Sequence, residues 1–500
     1  MKQDVLVVGA GPVGLTMAAE LARYGVAVRI IDKAAERTDK SKALVLWSRS
    51  LELIDRMGCG ESFVTAGLKV RAAAIIAGGH PIAHISLDAL PTPHPYGLML
   101  PQSETERLME QHLNTCGVQV ERQVELTQFH TATDTVTATL RHADGHDETV
   151  DAAWMIGCDG AHSAVRHGLG MAFEGDTLPS NWILADVHLA GNPTPPDEIV
   201  TYWHADGVLV IFPISPGRYR VIADIGETPP GEHHPNDPTL QEVQAVLDQR
   251  GPGGMTASTP IWLAGFTINE RKVADYRAGR VFLTGDAAHI HSPAGGQGMN
   301  TGMQDACNLA WKLALVCHGS VAPEPLLDSY STERSEIGRQ VLRAAGRLTA
   351  VATLRSGILQ TLRNHAASLM LSLSPVRRTM TNTMAELSIG YANGPLSRTE
   401  GAHHDGPAAG ARAALPVAGQ PVGSGSRPLF ALFARATPQA AELIAQRPDL
   451  LEAEPRPPFE SSGIWLVRPD GYVAMTAGAT DWDKVGAYLD WIAGTSAREG

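Results

Sequence analysis

Apolar and polar positions change their spacing several times along the chain, and each change marks an element. Asp4 to Val8 is a short apolar run, Gly9-Ala10-Gly11-Pro12-Val13-Gly14 interrupts it, Leu15 to Tyr24 has helical spacing, and Val26 to Ile31 is apolar again before Asp32. That order predicts strand, tight turn, helix and strand, the opening of a βαβ unit. Helices are also predicted over Trp47 to Met57 and Glu104 to Cys116, the latter with Leu108, Met109 and Leu113 on one face. Residues 72–97 and 176–269 alternate instead, as in Ile183 to Leu189, Ile199 to Trp203, Val208 to Ile211 and Tyr219 to Ile225, broken by Gly and Pro. They predict an antiparallel sheet inserted into the first domain, and clefts between such domains favour ligands. Thr301 to Val316 and Leu326 to about Met370 return to helical spacing, and Ser397 to Pro428, dense in Gly, Pro, Ala and Arg, predicts a linker. A small unit follows, with strands Trp465 to Val467 and Tyr472 to Met475 about a Pro469-Asp470-Gly471 turn, and a helix from Trp482 to Ile492. The expected fold class is α/β, with one domain from 1–71, 98–175 and 270–390, an inserted sheet from 72–97 and 176–269, and a C-terminal part over 391–500.

Composition narrows the chemistry. Forty basic and fifty-three acidic residues give a net charge of -13, which argues against nucleic acid, whose phosphates call for a basic surface. The five cysteines (Cys59, Cys116, Cys158, Cys307, Cys317) form no C-x-x-C pair, so neither a disulfide framework nor a metal site is expected. Neither a signal peptide nor a membrane-spanning run is evident, and a cytoplasmic protein without a membrane partner is expected.

The Gly9/Gly11/Gly14 turn is built for a dinucleotide: the first glycine permits the turn, the second lets backbone approach a pyrophosphate, and the third lets helix pack on strand. Pro12 and Val13 open the helix whose amino terminus faces the phosphates. Asp32 ends the second strand, where an acid holds a ribose hydroxyl, with Lys33 beside it. Two further segments run from strand into turn: Cys158-Asp159-Gly160-Ala161-His162-Ser163-Ala164-Val165-Arg166, and Thr284-Gly285-Asp286-Ala287-Ala288-His289. The latter continues through Pro293-Ala294-Gly295-Gly296-Gln297-Gly298-Met299-Asn300 to Asp305, Asn308, Leu309, Trp311 and Lys312.

With these three motifs in this order, residues 1 to 390 resemble the single-component, group A flavoprotein aromatic hydroxylases, among them phenol and bacterial polyketide hydroxylases. The resemblance implies a Rossmann-like FAD-binding domain, a substrate-binding sheet domain, and a small thioredoxin-like C-terminal domain. It implies FAD as cofactor, NADPH or NADH as transient reductant, O2 as co-substrate and an aromatic, phenolic or polyketide substrate. Oxygen would add to the reduced flavin at C4a, and the resulting hydroperoxide would attack an electron-rich ring carbon in a dry cavity.

Residue by residue, the resemblance places Asp286 on the ribityl chain, Gln102 on FAD, Val124 as a backbone contact at the adenine end, and Asp159 near FAD and NAD(P)H. A turn-forming role for Asp159 and a plain surface role for Gln102 stay open. Gly298, Met299 and Asn300 would turn backbone N–H groups toward the N1/C2 carbonyl edge of the reduced flavin, and Pro293 would stiffen the loop at the flavin face. Lys42 stands where many relatives carry arginine; it can meet a phosphate as a point charge but lacks the bidentate fork, and Arg49 is a weaker companion.

No side-chain base is assigned. Tyr202, His204 and Tyr219 on the inserted sheet are candidates that read better as ordinary strand residues, and His289 and His291 read as structural. The cysteine-free C-terminal unit, with its Arg468-Pro469-Asp470-Gly471 segment, excludes disulfide exchange there and leaves a homodimer interface open. Baeyer–Villiger oxygenation of a ketone, or binding of a reactive intermediate without oxygenation, are the rival outcomes; halogenation is disfavoured because W-x-W-x-I-P is absent.

Overall fold

A computed structural model describes residues 3–38, 40–227, 236–354, 357–401, 406–414, 420–460 and 463–494. The apolar run at the start becomes the strand Gln3–Val8 at the middle of a sheet, flanked in parallel by Val28–Asp32 and Asp147–Gly157. Val120–Arg122 extends the parallel set on one side and Val281–Leu283 on the other. Its central strand is buried from Val5 to Val8 and continuous in Val and Leu, as a strand covered on both faces must be. The helix Pro12–Arg23 lies against this sheet and against the helix Gly298–Cys317. Close approach is possible because Gly302 faces Val13: a Cβ on Gly302 would stand 2.6 Å from Val13 Cγ2 and 3.1 Å from Gly285 Cα.

The second sheet runs in the order His289–Ile290, Thr256–Lys272, Glu174–Ala190, Arg218–Glu227, Gly207–Ser215, Glu198–His204, Ala72–Ala77, His80–Ser86. All pairs are antiparallel except Glu198–His204 with Ala72–Ala77. One face is covered by the helix Leu240–Arg250, started by a Thr239/Glu242 capping box, whose Val243 and Leu247 pack on Ile183, Tyr202, Leu209 and Val221. The strands Glu174–Ala190 and Thr256–Lys272 are far longer than their alternating cores predict. Hydrogen bonding between them carries the ladder past the residues with clear alternation.

Two expectations change. The helical stretch after Leu326 is broken into Asp328–Ala352, Gly357–Ser372 and Ser374–Met384. The expected linker is packed against the C-terminal sheet at several of its described positions, while 402–405 and 415–419 lie outside the described residues. Arg398–Thr399 pairs in parallel with Met475–Thr476, Arg412 bridges to Tyr472, and Ala413 and Val422 join a core with Trp465 and Val467. Small residues there let backbone come close to backbone: a Cβ on Gly410 would stand 2.4 Å from Ala392 N. Composition alone does not separate such a close-packed strap from a tether. Arg398–Thr399, Val473–Gly478, Gly463–Val467 and Ala431–Phe433 form a four-stranded sheet, with helices Pro438–Gln446 and Trp482–Ala493.

Candidate functional site

Four segments meet at the carboxyl ends of the parallel strands. Gly9 has φ +101, and a Cβ there would strike the Cys158 carbonyl at 2.5 Å, so the first and second motifs touch. Gly14 is equally constrained, its Cβ position lying 1.9 Å from the Gly9 carbonyl oxygen. Gly11 is different. Its φ of -75 suits any residue, and a Cβ would meet no protein atom within 4 Å. No internal contact requires glycine there; open space lies in front of a helix whose first N–H groups have no side-chain cap. A pyrophosphate fits that opening.

Asp32 stands beside this turn. Its Oδ2 accepts from Ala10 N–H at 2.7 Å and its Oδ1 from Ala34 N–H at 2.8 Å, while Val124 N–H donates to its carbonyl at 3.0 Å. Asp32 and Val124 are therefore neighbours, and Lys33 is exposed next to them. On the other side, Thr284 N–H donates to the Gly157 carbonyl at 3.0 Å and Cys158 Sγ meets Thr284 Oγ1 at 3.0 Å, joining the second and third motifs. Arg166 completes the joint, donating to the carbonyls of Ala287 (3.0 Å) and Ala161 (2.7 Å), while Ser163 caps its short helix.

The carboxylates at this junction fit a ligand. Asp159 Oδ2 accepts from Val165 N–H at 3.1 Å, but Oδ1 is buried without a partner, and burial pushes the carboxyl up. Asp286 is exposed and makes no hydrogen bond to a described residue. Surrounding protein nevertheless raises its pKa, and the charges of His289 and Lys42 act against that rise. An exposed yet crowded carboxylate lies in a cleft, with Lys42 near enough for its charge to be felt there.

Lys42 is placed by residues far away in sequence. Ser41 and Lys42 offer their carbonyls to Arg220, the latter at 3.0 Å, and Arg220 is held by Asp186 at 2.7 and 3.0 Å. Both ionic partners are 1% exposed and both sit on the second sheet, so that sheet grips the Lys42 loop directly. Gln102 lies against the same loop: its Oε1 accepts from Ala43 N–H at 3.2 Å and its Nε2 donates to Glu106 at 2.8 Å. Arg49 does not accompany Lys42; its guanidinium turns to Glu52 and the Asp470 carbonyl.

Between the third motif and the helix Gly298–Cys317, Gly296 N–H donates to the Pro293 carbonyl at 2.9 Å in an exposed turn. Trp47 Nε1 holds the Gly295 carbonyl at 2.8 Å. Asn300 accepts from Trp47 N–H and donates to the carbonyls of Val45 and Gly296, at 2.8, 2.8 and 2.9 Å. The Asn300 side chain is thus occupied in shaping the loop, and only the backbone N–H groups of Gly298, Met299 and Asn300 are free of helical acceptors.

Asp305 is the hub beneath this loop, accepting from Gly285 N–H (3.1 Å), pairing with His289 (2.8 Å) and with Arg334 (2.5 Å). His289 is accordingly fixed and buried, and His291 donates from Nδ1 to the Ser292 carbonyl at 2.8 Å. Asn308 and Lys312 face away from the cleft. They join Glu333, which binds Arg468 at 2.6 Å, and Arg468 holds Asp470 at 2.6 Å. Tyr202 and Tyr219 belong to the core under the helix Leu240–Arg250, the face opposite to Arg220, and His204 pairs with Asp206 at 3.3 Å.

Arg220, Asp186, Arg334 and Glu333 are missing from the motif reading because each acts across 21 or more residues. Among the described residues no helix is long and apolar enough to cross a membrane, and no group of three or more His, Cys, Asp or Glu residues could hold a metal.

The comparisons with known proteins agree with this geometry. Residues 2–345 match the FAD binding domain family. The chain is 38% identical over 403 residues to 6-methylpretetramide 4-monooxygenase of Streptomyces rimosus, covering 79% of this chain and 71% of that protein. It is 34% identical over 502 residues to the 12-dehydrotetracycline 5-monooxygenase/anhydrotetracycline 6-monooxygenase of Streptomyces rimosus subsp. rimosus, covering 95% and 96%. The structure superposes on the OxyS anhydrotetracycline hydroxylase of Streptomyces rimosus with a TM-score of 0.79, 29% identity, and coverage of 99% and 100%. The chain belongs to the single-component FAD-dependent aromatic hydroxylases: it is a flavoprotein monooxygenase of mixed α/β fold.

Proposed function

We propose that this monooxygenase hydroxylates an aromatic, phenolic or polyketide substrate, with O2 as oxidant and NAD(P)H as electron donor. The observation that carries the reading is one cleft bordered by Gly11, with nothing before it, and by Asp286, exposed and unpartnered. Relatives named for oxygenation of tetracycline-type aromatics favour ring hydroxylation over lactone formation or passive binding.

Bound FAD supplies the electron transfer and the activation of oxygen. In this reading the Gly9–Gly14 turn with Pro12 and Val13 receives the diphosphate, and Asp32, with Lys33 and Val124 close by, receives the adenosine end. Asp286 holds the ribityl hydroxyls, Asp159 offers its unpartnered oxygen nearby, and Lys42 and Gln102 close the other side. Pro293 and the N–H groups of Gly298, Met299 and Asn300 line the reacting ring, where fixed dipoles stabilise added negative charge. Residues 72–97 and 176–269 form the substrate side, and 1–71, 98–175 and 270–390 the cofactor side. Neither Tyr202 nor Tyr219 lies on the Arg220 face, so no base on the sheet is assigned.

The test is NAD(P)H consumption by the purified yellow protein across phenols and polycyclic quinones, with product mass followed in parallel. Stimulated consumption with a gain of one oxygen on the ring is the expected result. Consumption that no aromatic compound accelerates, or a lactone product, rules the proposal out.

A further inference from the structure

Beneath the first two turns of the helix Gly298–Cys317 lies a carboxyl group without a cationic partner. Glu386 is 1% exposed and sits in a left-handed backbone conformation, φ +58. That conformation is costly for a residue other than glycine and persists only where surroundings enforce it. Its side chain accepts from Thr301 Oγ1 at 3.2 Å and from Gln304 Nε2.

The charged groups around it make their hydrogen bonds elsewhere, although the charge of Arg334 and the bonds from Thr301 and Gln304 still act against the rise that burial causes. Arg334, from the helix Asp328–Ala352, directs Nε to Asp305, Nη1 to the Tyr391 hydroxyl at 3.0 Å and Nη2 to the Thr301 carbonyl at 3.1 Å. Arg49, whose N–H reaches the Ala385 carbonyl at 3.2 Å, points its guanidinium to Glu52 and the Asp470 carbonyl. Asp305 adds a like charge, and Tyr391 is occupied by Arg334. Hydrogen-bond accounting agrees: Gln304 Oε1 is buried without a donor, so an ionised Glu386 leaves the cluster with more acceptors than donors. A protonated Glu386 can donate to Gln304 Oε1 once the amide is turned, which moves Nε2 to the place that Oε1 held.

We propose that Glu386 is a proton-holding positioning residue that decides how much of the helix dipole at Gly298–Asn300 is available to the flavin. Neutral, it leaves the positive helix end to the anionic edge of the reduced ring; ionised, its own charge competes for that end. This rests on the reading above that those backbone N–H groups face the flavin. Burial pushes the carboxyl up to about 8, so the group releases its proton to solvent near the top of the physiological range. In the unfolded chain the value is near 4.5. The folded state therefore holds a proton that the unfolded state has lost. The resulting stabilisation is full below the unfolded value and disappears as pH rises to about 8.

Glu386→Gln in the FAD-loaded protein replaces a neutral acid by a neutral isostere. The melting temperatures of the two proteins should run parallel below the unfolded value near 4.5 and separate steadily as pH rises from there to about 8, the variant becoming the more stable. The reduction potential of the bound flavin should show an extra bend near the ionisation of Glu386 in the native protein and lose it in the variant. Identical pH dependence of stability in both proteins overturns the proton; separated stability curves with coincident potential curves overturn the coupling. Met299→Pro, which deletes one N–H in a helical turn that tolerates proline, tests the underlying reading separately. If it moves the potential while Glu386→Gln does not, the helix end faces the flavin and the proposal fails alone. Should the glutamine variant not fold, the infrared band of a protonated carboxyl in the native protein, bleached at alkaline pH, carries the test, and its absence overturns the proposal.

Discussion

The cleft proposed for the cofactor and the seam under the C-terminal sheet use the same kinds of side chain to opposite ends. At the seam every charge is answered: Glu333 binds Arg468, Lys312 and Asn308, Arg468 binds Asp470, and Arg49 and Arg56 cap the carbonyls of Asp470 and Pro469. Burial pushes Glu333 upward, but Arg468 and Lys312 outweigh it and hold its carboxyl down at about 2. In the cleft, among the described residues, Asp286 has no hydrogen-bond partner, one oxygen of Asp159 has none, and a Cβ on Gly11 would meet no atom within 4 Å. Satisfied polar groups build a fold; polar groups left wanting in a crowded place await something else.

The contrast breaks most severely at the seam. Arg468→Ala leaves Glu333 and Asp470 buried without compensation and should cost about 3–5 kcal/mol, read as a large fall in melting temperature. Next come the glycines, whose two constraints are separable. Gly14→Ala should unfold the apoprotein at lower denaturant, because its Cβ meets the Gly9 carbonyl; Gly11→Val should leave apoprotein stability unchanged and weaken FAD binding at least about tenfold, roughly 1.4 kcal/mol. Equal stability losses for both would erase the distinction.

Asp286→Asn should likewise spare the fold and cost about 1.5 kcal/mol in flavin affinity, the low end for a charge-assisted hydrogen bond, measured by fluorescence titration. A separate effect, seen only in acid, concerns His291, whose imidazole burial and the neighbouring His289 depress to about 4. Its neutral form is native, so stability should fall as pH drops from 6.5 toward that value, when only the unfolded chain takes the proton. His291→Gln should flatten that slope in urea titrations.

Local chemistry was legible from the chain because its causes are local. A glycine that needs φ +101 and an acid at a strand end announce themselves within a few positions, and a helix start is marked by Gly298-Met299-Asn300 following a glycine-rich turn. Arg220 gave no such sign: in sequence it is one polar position in an alternating strand, and its meaning comes from Asp186, Ser41 and Lys42. Glu386 is similar, one acid after a helix, informative only once Thr301 and Gln304 are beside it. The packed strap after Ser397 went unread for another reason, since small residues serve tethers and tight contacts alike.

Arg220 also bears on how such proteins diverge. Because its guanidinium clasps the carbonyls of Ser41 and Lys42 while rooted on Asp186, the second sheet, proposed above as the substrate side, is not an independent module for exchange. A chimera that imports a relative's strands without an arginine and aspartate at these two positions would unfasten the turn carrying Lys42. Swaps intended to alter which aromatic is accepted should therefore transplant residues 41–43 together with the strands that clasp them.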